Sequence, residues 1–386
     1  MSVSVGAAIS RERDSLAAGA AAGRSVAETL DGASADLVLV FASGEHLANP
    51  QRVLVPLHAA LAPRVLVGCA AGGVLGSRRE LEDGTALAVW AASFDGGGEV
   101  RPFHVTAEDL PLGPEIEDMP DLSGASSAIL LADPYSFPAE MALGELAESA
   151  PSVPVLGGLV SAQGSAGSLF VGEEIYDEGA VGFSLHGVEV LPCVSQGAAP
   201  VGREVTITAA EDNIIHELAG RPALQTIERI VADLPRRERG LVAGGLLIGI
   251  VIDSGKPEFE QGDFLVRGIL GADPDSGSLA IAASVREGQV VRLHARDSRS
   301  AHEDLLRALK LQIEAMSGAS PAGSLLFSCN GRGQAMFGAS NHDAEAVHHE
   351  LRGSPAAGFF AAGEIGPVGG RSFLHGFTAT LAVFPG

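Results

Sequence analysis

The chain has 386 residues, 46% hydrophobic and 19% charged, which is room for two domains with separate cores in a globular protein. Its formal net charge of −23 excludes nucleic acid and an anionic membrane surface as partners, because phosphate recognition needs clustered Lys and Arg, and Lys256 and Lys310 are the chain's lysines. No apolar run reaches the roughly 18 residues of a membrane span; Leu241–Ile252 comes closest and is broken by glycine.

The first residues, Met1 to Ser10, carry no basic region of a secretory signal, and Arg11 to Asp14 is charged. Cys69, Cys193 and Cys329 form no Cys-x-x-Cys pair, so free thiols in a reducing cytoplasm are expected, with no Cys-based zinc site.

In chain order, residues 10–30 predict a helix capped by Ser10. Asp36–Phe41 is an apolar run of a buried strand, and Asn49–Leu61 reads as a helix despite Pro56. Val65–Cys69 is the next strand, Ala70–Gly76 a glycine loop, and Thr85–Ala91 a further strand after the turn Glu82-Asp83-Gly84. The same order then recurs. Ser127–Leu131 is a strand, Pro138–Ala150 a helix, Val153–Gly158 a strand breaking into the loop Leu159–Gly167, and Ala180–Leu185 a strand after Asp177-Glu178-Gly179. Two copies of one pattern, over residues 35–95 and 125–190, therefore organise the first half.

Leu191–Gly202 leads into the strand Glu204–Thr208, Asn213–Leu218 reads as a strand edge or turn, and Pro222 opens a helix over Ala223–Asp233. Strands are expected at Leu247–Ile252, Phe264–Ile269, Leu279–Ser284 and Val290–Leu293, as a weaker copy of the same pattern, with a hairpin turn at Asp273–Gly277. Ser300–Ser317 is an amphipathic helix with Leu305, Leu309 and Ile313 on one side.

The last seventy residues hold the densest chemistry. A short apolar run breaks into Ser328-Cys329-Asn330-Gly331-Arg332-Gly333, and a second ends in Gly363-Glu364-Ile365-Gly366-Pro367. Between them Asn341–Leu351 predicts a short helix with His342, Asp343, Glu345, His348 and His349 on wetter positions; the histidine spacing does not match an i, i+4 metal pair. A run from Phe377 to Phe384 closes the sheet, and this segment reads as another copy, with Gly-Glu-Ile-Gly standing where Gly68-Cys69 and Gly157-Gly158 stand. The expected fold is α/β, or mixed α+β: two modules of mixed sheets covered by helices, over residues 1–190 and 221–386, joined by 191–220.

Several motifs together resemble the FIST family: Ala35–Phe41, the Val67–Gly73 loop, Ser195-Gln196-Gly197, Gly220-Arg221-Pro222-Ala223, Ser328–Gly333 and Gly358–Pro367. The resemblance spans an N-terminal and a C-terminal module and implies a sensory, signal-transducing protein that binds a small ligand, an amino acid or a small carboxylate, and acts through a protein partner. Some stand-alone members resemble haem-binding nitric-oxide sensors, which makes haem an alternative cofactor; His186 and His375, each in a Leu-His-Gly context, are the residues that could serve as axial ligands. A ligand-free interaction scaffold is the other alternative.

On the residues themselves, Arg332 with Asn330 suits a carboxylate through paired guanidinium donors, the backbone of Gly331 and Gly333 adds N–H groups, and Glu364 suits an amino group. The competing reading pairs Arg332 with Glu364 and leaves the glycines to tight turns. Cys329, Gly366, and the strand-end residues Gly68, Cys69, Gly72, Gly157 and Gly158 complete the expected ligand site, lying in a cleft between the modules. No catalytic signature is present: Gly68-Cys69-Ala70-Ala71-Gly72 copies the spacing of a nucleophile elbow with no histidine partner evident, so a binding protein is expected and an enzyme is not.

Overall fold

The computed structural model describes residues 2–76, 78–111, 113–162, 168–259 and 261–386, so the loop expected over Leu159–Gly167 lies, from residue 163, outside the described residues. The chain divides into two compact units: a larger one of residues 1–194, 305–374 and 379–386, and a smaller one of residues 195–304 and 375–378. Among the described residues no helix is long and apolar enough to cross a membrane.

The larger unit contains three mixed sheets. The first begins with β1 (Ser2–Ser10), paired antiparallel to β6 (Ala86–Asp95), which pairs with β2 (Leu37–Ser43) and then β3 (Val65–Ala70). All seven residues of β2 are buried, as an apolar run covered on both faces requires. Helix α1 (Ser15–Thr29) is capped by Asp14, whose carboxylate accepts the Ala17 N–H at 2.9 Å. Asp14 displaces the expected Ser10 because β1, unmarked by any strong apolar alternation, continues through residue 10. Gly19 and Gly23 on α1 admit helix α2 (Gln51–Leu61): a Cβ on Gly19 would lie 2.5 Å from the Val53 carbonyl oxygen.

The second sheet is built around Ser127–Ala132 and Val155–Leu159, joined by helix α3 (Ala139–Ser149), with Glu364–Val368 added antiparallel to Val155–Leu159. The third orders Leu191–Gln196, Thr378–Pro385, Pro321–Cys329, Ala356–Ala361, β4 (Val74–Gly76) and β5 (Arg79–Leu81). The β4–β5 hairpin of the N-terminal half thus completes a sheet of C-terminal strands. The two halves share one core. Phe41 stacks on Phe359 at 5.2 Å, Phe359 meets Phe327 edge-on at 5.8 Å, and Trp90 lies 5.0 Å from Phe384.

The smaller unit carries helices α4 (Ala223–Asp233) and α5 (Arg236–Val242) and an antiparallel sheet of Ala198–Glu211, Val290–Arg296, Leu246–Val251, Phe264–Ala272, Leu279–Ile281 and Ile214–Leu218. Pairing of Ala198–Glu211 with Ile214–Leu218 closes this sheet into a barrel, so the stretch read as a strand edge or turn is a turn at Asn213 followed by a strand, Ile214–Leu218, paired on both sides. The weaker copy expected over 240–290 is not a strand–helix–strand unit: its strands pair antiparallel with no helix between them. The Asp273–Gly277 turn forms as read, with Gly277 at φ 72° and its N–H on the Asp273 carbonyl. Helix α6 (Ser298–Ala315) follows the barrel, and helices α7 (Gln334–Phe337) and α8 (His342–Glu350) belong to the larger unit.

Candidate functional site

A strand, a helix and a parallel strand recur three times in the larger unit: β2–α2–β3, Ser127–Ala132 to Val155–Leu159 through α3, and Pro321–Cys329 to Ala356–Ala361 through α7 and α8. One glycine occupies the same register position in each: Gly68 opposite Val40, Gly157 opposite Leu130, Gly358 opposite Leu326. A Cβ there would stand 2.1, 2.0 and 1.7 Å from the partner's carbonyl oxygen. Gly68 and Gly157, expected among ligand contacts, are therefore committed to strand packing, and their counterpart in the third copy is Gly358, not Gly363-Glu364. Gly158 pairs with Glu364, and a Cβ on it would lie 2.9 Å from that of Ala361. Gly366 is equally tight, with Val194 Cγ2 at 2.7 Å.

The strand ends do converge. Gly72 donates its N–H to Ser161 Oγ at 2.9 Å, and Ser161 donates to the Phe360 carbonyl. Asn330 N–H donates to the Ala361 carbonyl and Ala362 N–H to that of Leu159. Asn330 is exposed on this rim, whereas Cys329 is buried and its sulfur accepts the Gly331 N–H at 3.4 Å. Cys69 does not face a cleft: it pairs with Phe41 and Leu169 inside the first sheet, is 0% exposed, and burial pushes its thiol pKa above the ordinary range.

Arg332 is buried, and its partner is Asp343 rather than Glu364. Nε donates to Asp343 Oδ2 at 2.7 Å and Nη2 to Oδ1 at 2.9 Å. The Ser328 hydroxyl adds a hydrogen bond to Oδ2 at 2.8 Å, and His342 Nδ1 lies 2.9 Å from Oδ1. Phe337 stacks on the His342 ring at 3.5 Å, with the guanidinium carbon of Arg332 5.2 Å from the same phenyl ring. Burial opposes both charges, yet each holds the other ionised: Arg332 and the hydrogen bond from His342 keep the Asp343 carboxyl well below the usual range, and Asp343, with Cys329 and Glu364 nearby, keeps Arg332 protonated. The sequence placed Asp343 on a wet helical face; it is 1% exposed. Two of the guanidinium's donor directions are thus used inside the protein, and Nη1 is buried without a hydrogen bond among the described residues.

Two N-terminal carboxylates complete the cluster, and sequence reading found neither. Glu80 on β5 accepts the Ala344 N–H at 2.9 Å through Oε1, while its own N–H donates to Asn341 Oδ1 at 2.9 Å. Burial and then the neighbouring Asp343 push its pKa up to about 7. Glu82 accepts the Gln334 N–H at 2.8 Å, and its carboxylate fills the space where Gly333, at φ 77°, has no Cβ. Both carboxylates sit at helix N-termini, α8 for Glu80 and α7 for Glu82, where unpaired N–H groups and the helix dipole favour negative charge. Nothing local in the sequence marks them, because the β4–β5 hairpin and the turn after it dock on residues more than 250 positions away.

Beside this cluster, a cleft of about 290 Å³ opens against α8, with Ala344 in its wall. Among the described residues no group of three or more His, Cys, Asp or Glu side chains is arranged to hold a metal ion. His186 has Nε2 3.0 Å from Ser184 Oγ at a strand end, and His375 is buried at the end of Arg371–His375.

Comparison with known proteins matches residues 36–221 to the FIST N domain and residues 223–367 to the FIST C domain. The uncharacterized protein Rv0628c of Mycobacterium tuberculosis strain H37Rv is 39% identical over 383 residues, covering 98% of this chain and 99% of that protein. The uncharacterized protein Mb0898c of Mycobacterium bovis is 38% identical over 383 residues, 98% of each chain.

Proposed function

Because the chain belongs to the FIST family, whose domains are generally sensory, signal-transducing domains, we propose that it binds a small carboxylate or amino acid and passes the signal to a protein partner in the cytoplasm. The observation that carries this reading is the cleft against α8, the helix whose first turn holds Asp343 and the Glu80 contact. No described residue of the loops Ser328–Gly333 and Gly363–Pro367 lines this cleft; in this reading Ser328 and Arg332 act on it through Asp343 in the first turn of α8. Arg332, already committed to Asp343, anchors the helix rather than gripping the ligand. A ligand seated against α8 favours one placement of that helix over others, and a differential affinity of this kind is the whole requirement for a population shift. No catalytic step belongs to this proposal.

Thermal unfolding with a panel of amino acids, hydroxy acids and small mono- and dicarboxylates tests it. A ligand that binds the folded state alone raises Tm with the logarithm of ligand excess, by the equivalent of about 2.7 kcal/mol at a hundredfold excess over Kd. If no panel member shifts Tm and a protein co-purifies instead, the chain is an interaction scaffold.

A further inference from the structure

The lining of the cleft narrows the class of ligand. Ala7, Leu75, Leu326, Val347, Pro355 and Ala357 form apolar walls, and the polar side chains include Arg78 and His348. Arg78 is exposed and sits in the turn between β4 and β5 at φ 67°; among the described residues it has no ion pair and the His348 ring has no hydrogen bond. In a chain of net charge −23, none of the described lining residues is Asp or Glu. An apolar hollow with an uncommitted guanidinium and imidazole, and no carboxylate to hold an ammonium, selects for one charge sign and against a zwitterion. At about 290 Å³ it stands at the small end of ligand pockets, which begin near roughly 300 Å³.

We infer that the cleft takes a short aliphatic monocarboxylate, its chain against the apolar walls and its carboxylate held by Arg78 with His348. The inference rests on the sensory reading above and narrows its ligand, from amino acids and carboxylates together to carboxylates that lack an ammonium group. Each methylene that enters the walls strengthens binding about fourfold, the value expected for burying one methylene. A carboxylate met by a guanidinium outbinds the matching alcohol by about tenfold or more.

Calorimetric titration of the whole chain with butanoate, pentanoate, hexanoate, hexan-1-ol, leucine and 4-methylpentanoate, the deaminated analogue of leucine, is the test. Affinity should climb about fourfold per methylene through the acid series, hexan-1-ol should bind at least about tenfold more weakly than hexanoate, and 4-methylpentanoate should outbind leucine by a similar factor. Arg78→Gln should weaken hexanoate about tenfold, and Arg78→Lys, which keeps the charge on the same exposed turn, should restore most of it. Equal affinity for acid and alcohol, leucine binding as tightly as its analogue, or an Arg78→Gln variant that binds hexanoate as the parent does would each overturn the inference. If amino acids shift Tm while hexanoate does not bind, this assignment falls and the sensory reading stands; if nothing in the wider panel shifts Tm, the sensory reading itself falls.

Discussion

Arg332 and Asp343 face each other through two hydrogen bonds of 2.7 and 2.9 Å, their side chains 0% and 2% exposed. Losing one partner strands the other charge without water. Arg332→Ala or Asp343→Ala should each cost about 3–5 kcal/mol in urea unfolding. The double change Arg332→Met with Asp343→Leu should cost less than either single one, since it removes both charges and refills the volume. Two single variants of near-parental stability would show that the pair is not what holds α8.

Glu80 gives the larger unit an unusual pH response. Its carboxyl titrates at about 7 in the folded chain against 4.5 unfolded, so the folded state binds the extra proton between those values. The stability it contributes is full below about 4.5 and is lost as pH rises through 7, on the order of 3 kcal/mol in all. Glu80→Gln, which can still accept the Ala344 N–H, should flatten this slope and be the more stable form above pH 7. Unfolding free energies measured from pH 4.5 to 8 on both proteins decide the point; identical slopes would remove Glu80 as the source.

The smaller unit should respond in the opposite sense. His294 is 0% exposed, and burial, reinforced by the Arg292 cation, lowers its pKa from 6.5 to about 4 against the raising effect of the Arg292 carbonyl. An unfolded chain takes up the proton that the folded one refuses, so this stability is present above 6.5 and lost as pH falls through 4, again on the order of 3 kcal/mol. Hydrogen exchange of barrel amides between pH 4 and 7 should show the loss, and His294→Gln should abolish it.

The three register glycines tolerate nothing larger. Gly68→Ala, Gly157→Ala and Gly358→Ala would each drive a Cβ to within 2.1 Å of a backbone oxygen, and should cost about 3 kcal/mol or more. Gly144→Ala, in helix α3 with nothing within 4 Å, should instead stabilise by up to about 1 kcal/mol. Circular dichroism with chemical denaturation separates the two outcomes.

The elements that sequence reading placed well are those with a local cause. The apolar runs at Leu37–Ser43 and Ser127–Ala132 leave a strand few alternatives, and Pro222 does open α4. β1 escaped because Ser, Gly and Ala give it little apolar contrast, and α5 because Arg236-Arg237-Glu238-Arg239 buries no side chain. In the site, Arg332 was legible as important but its partner was not. Glu364 and Asp343 are both acidic and both downstream, and only the docking of α8 onto the third sheet decides which carboxylate the fork meets. Glu80 had no local signal at all, since its role depends on β4 leaving its own half to pair with Ala356–Ala361 and carrying β5 with it.

That strand exchange sets an order of events during synthesis. Phe359, Phe327 and Phe384 fill the same core as Phe41 and Trp90, so the first 190 residues leave the ribosome with their central cavity unfilled and the β4–β5 hairpin without a sheet to join. The barrel strands, nearly contiguous over 195–304, are complete far sooner. The strands before residue 100 therefore cannot complete their core until Thr378–Pro385 has joined it, although they are synthesised ahead of the barrel.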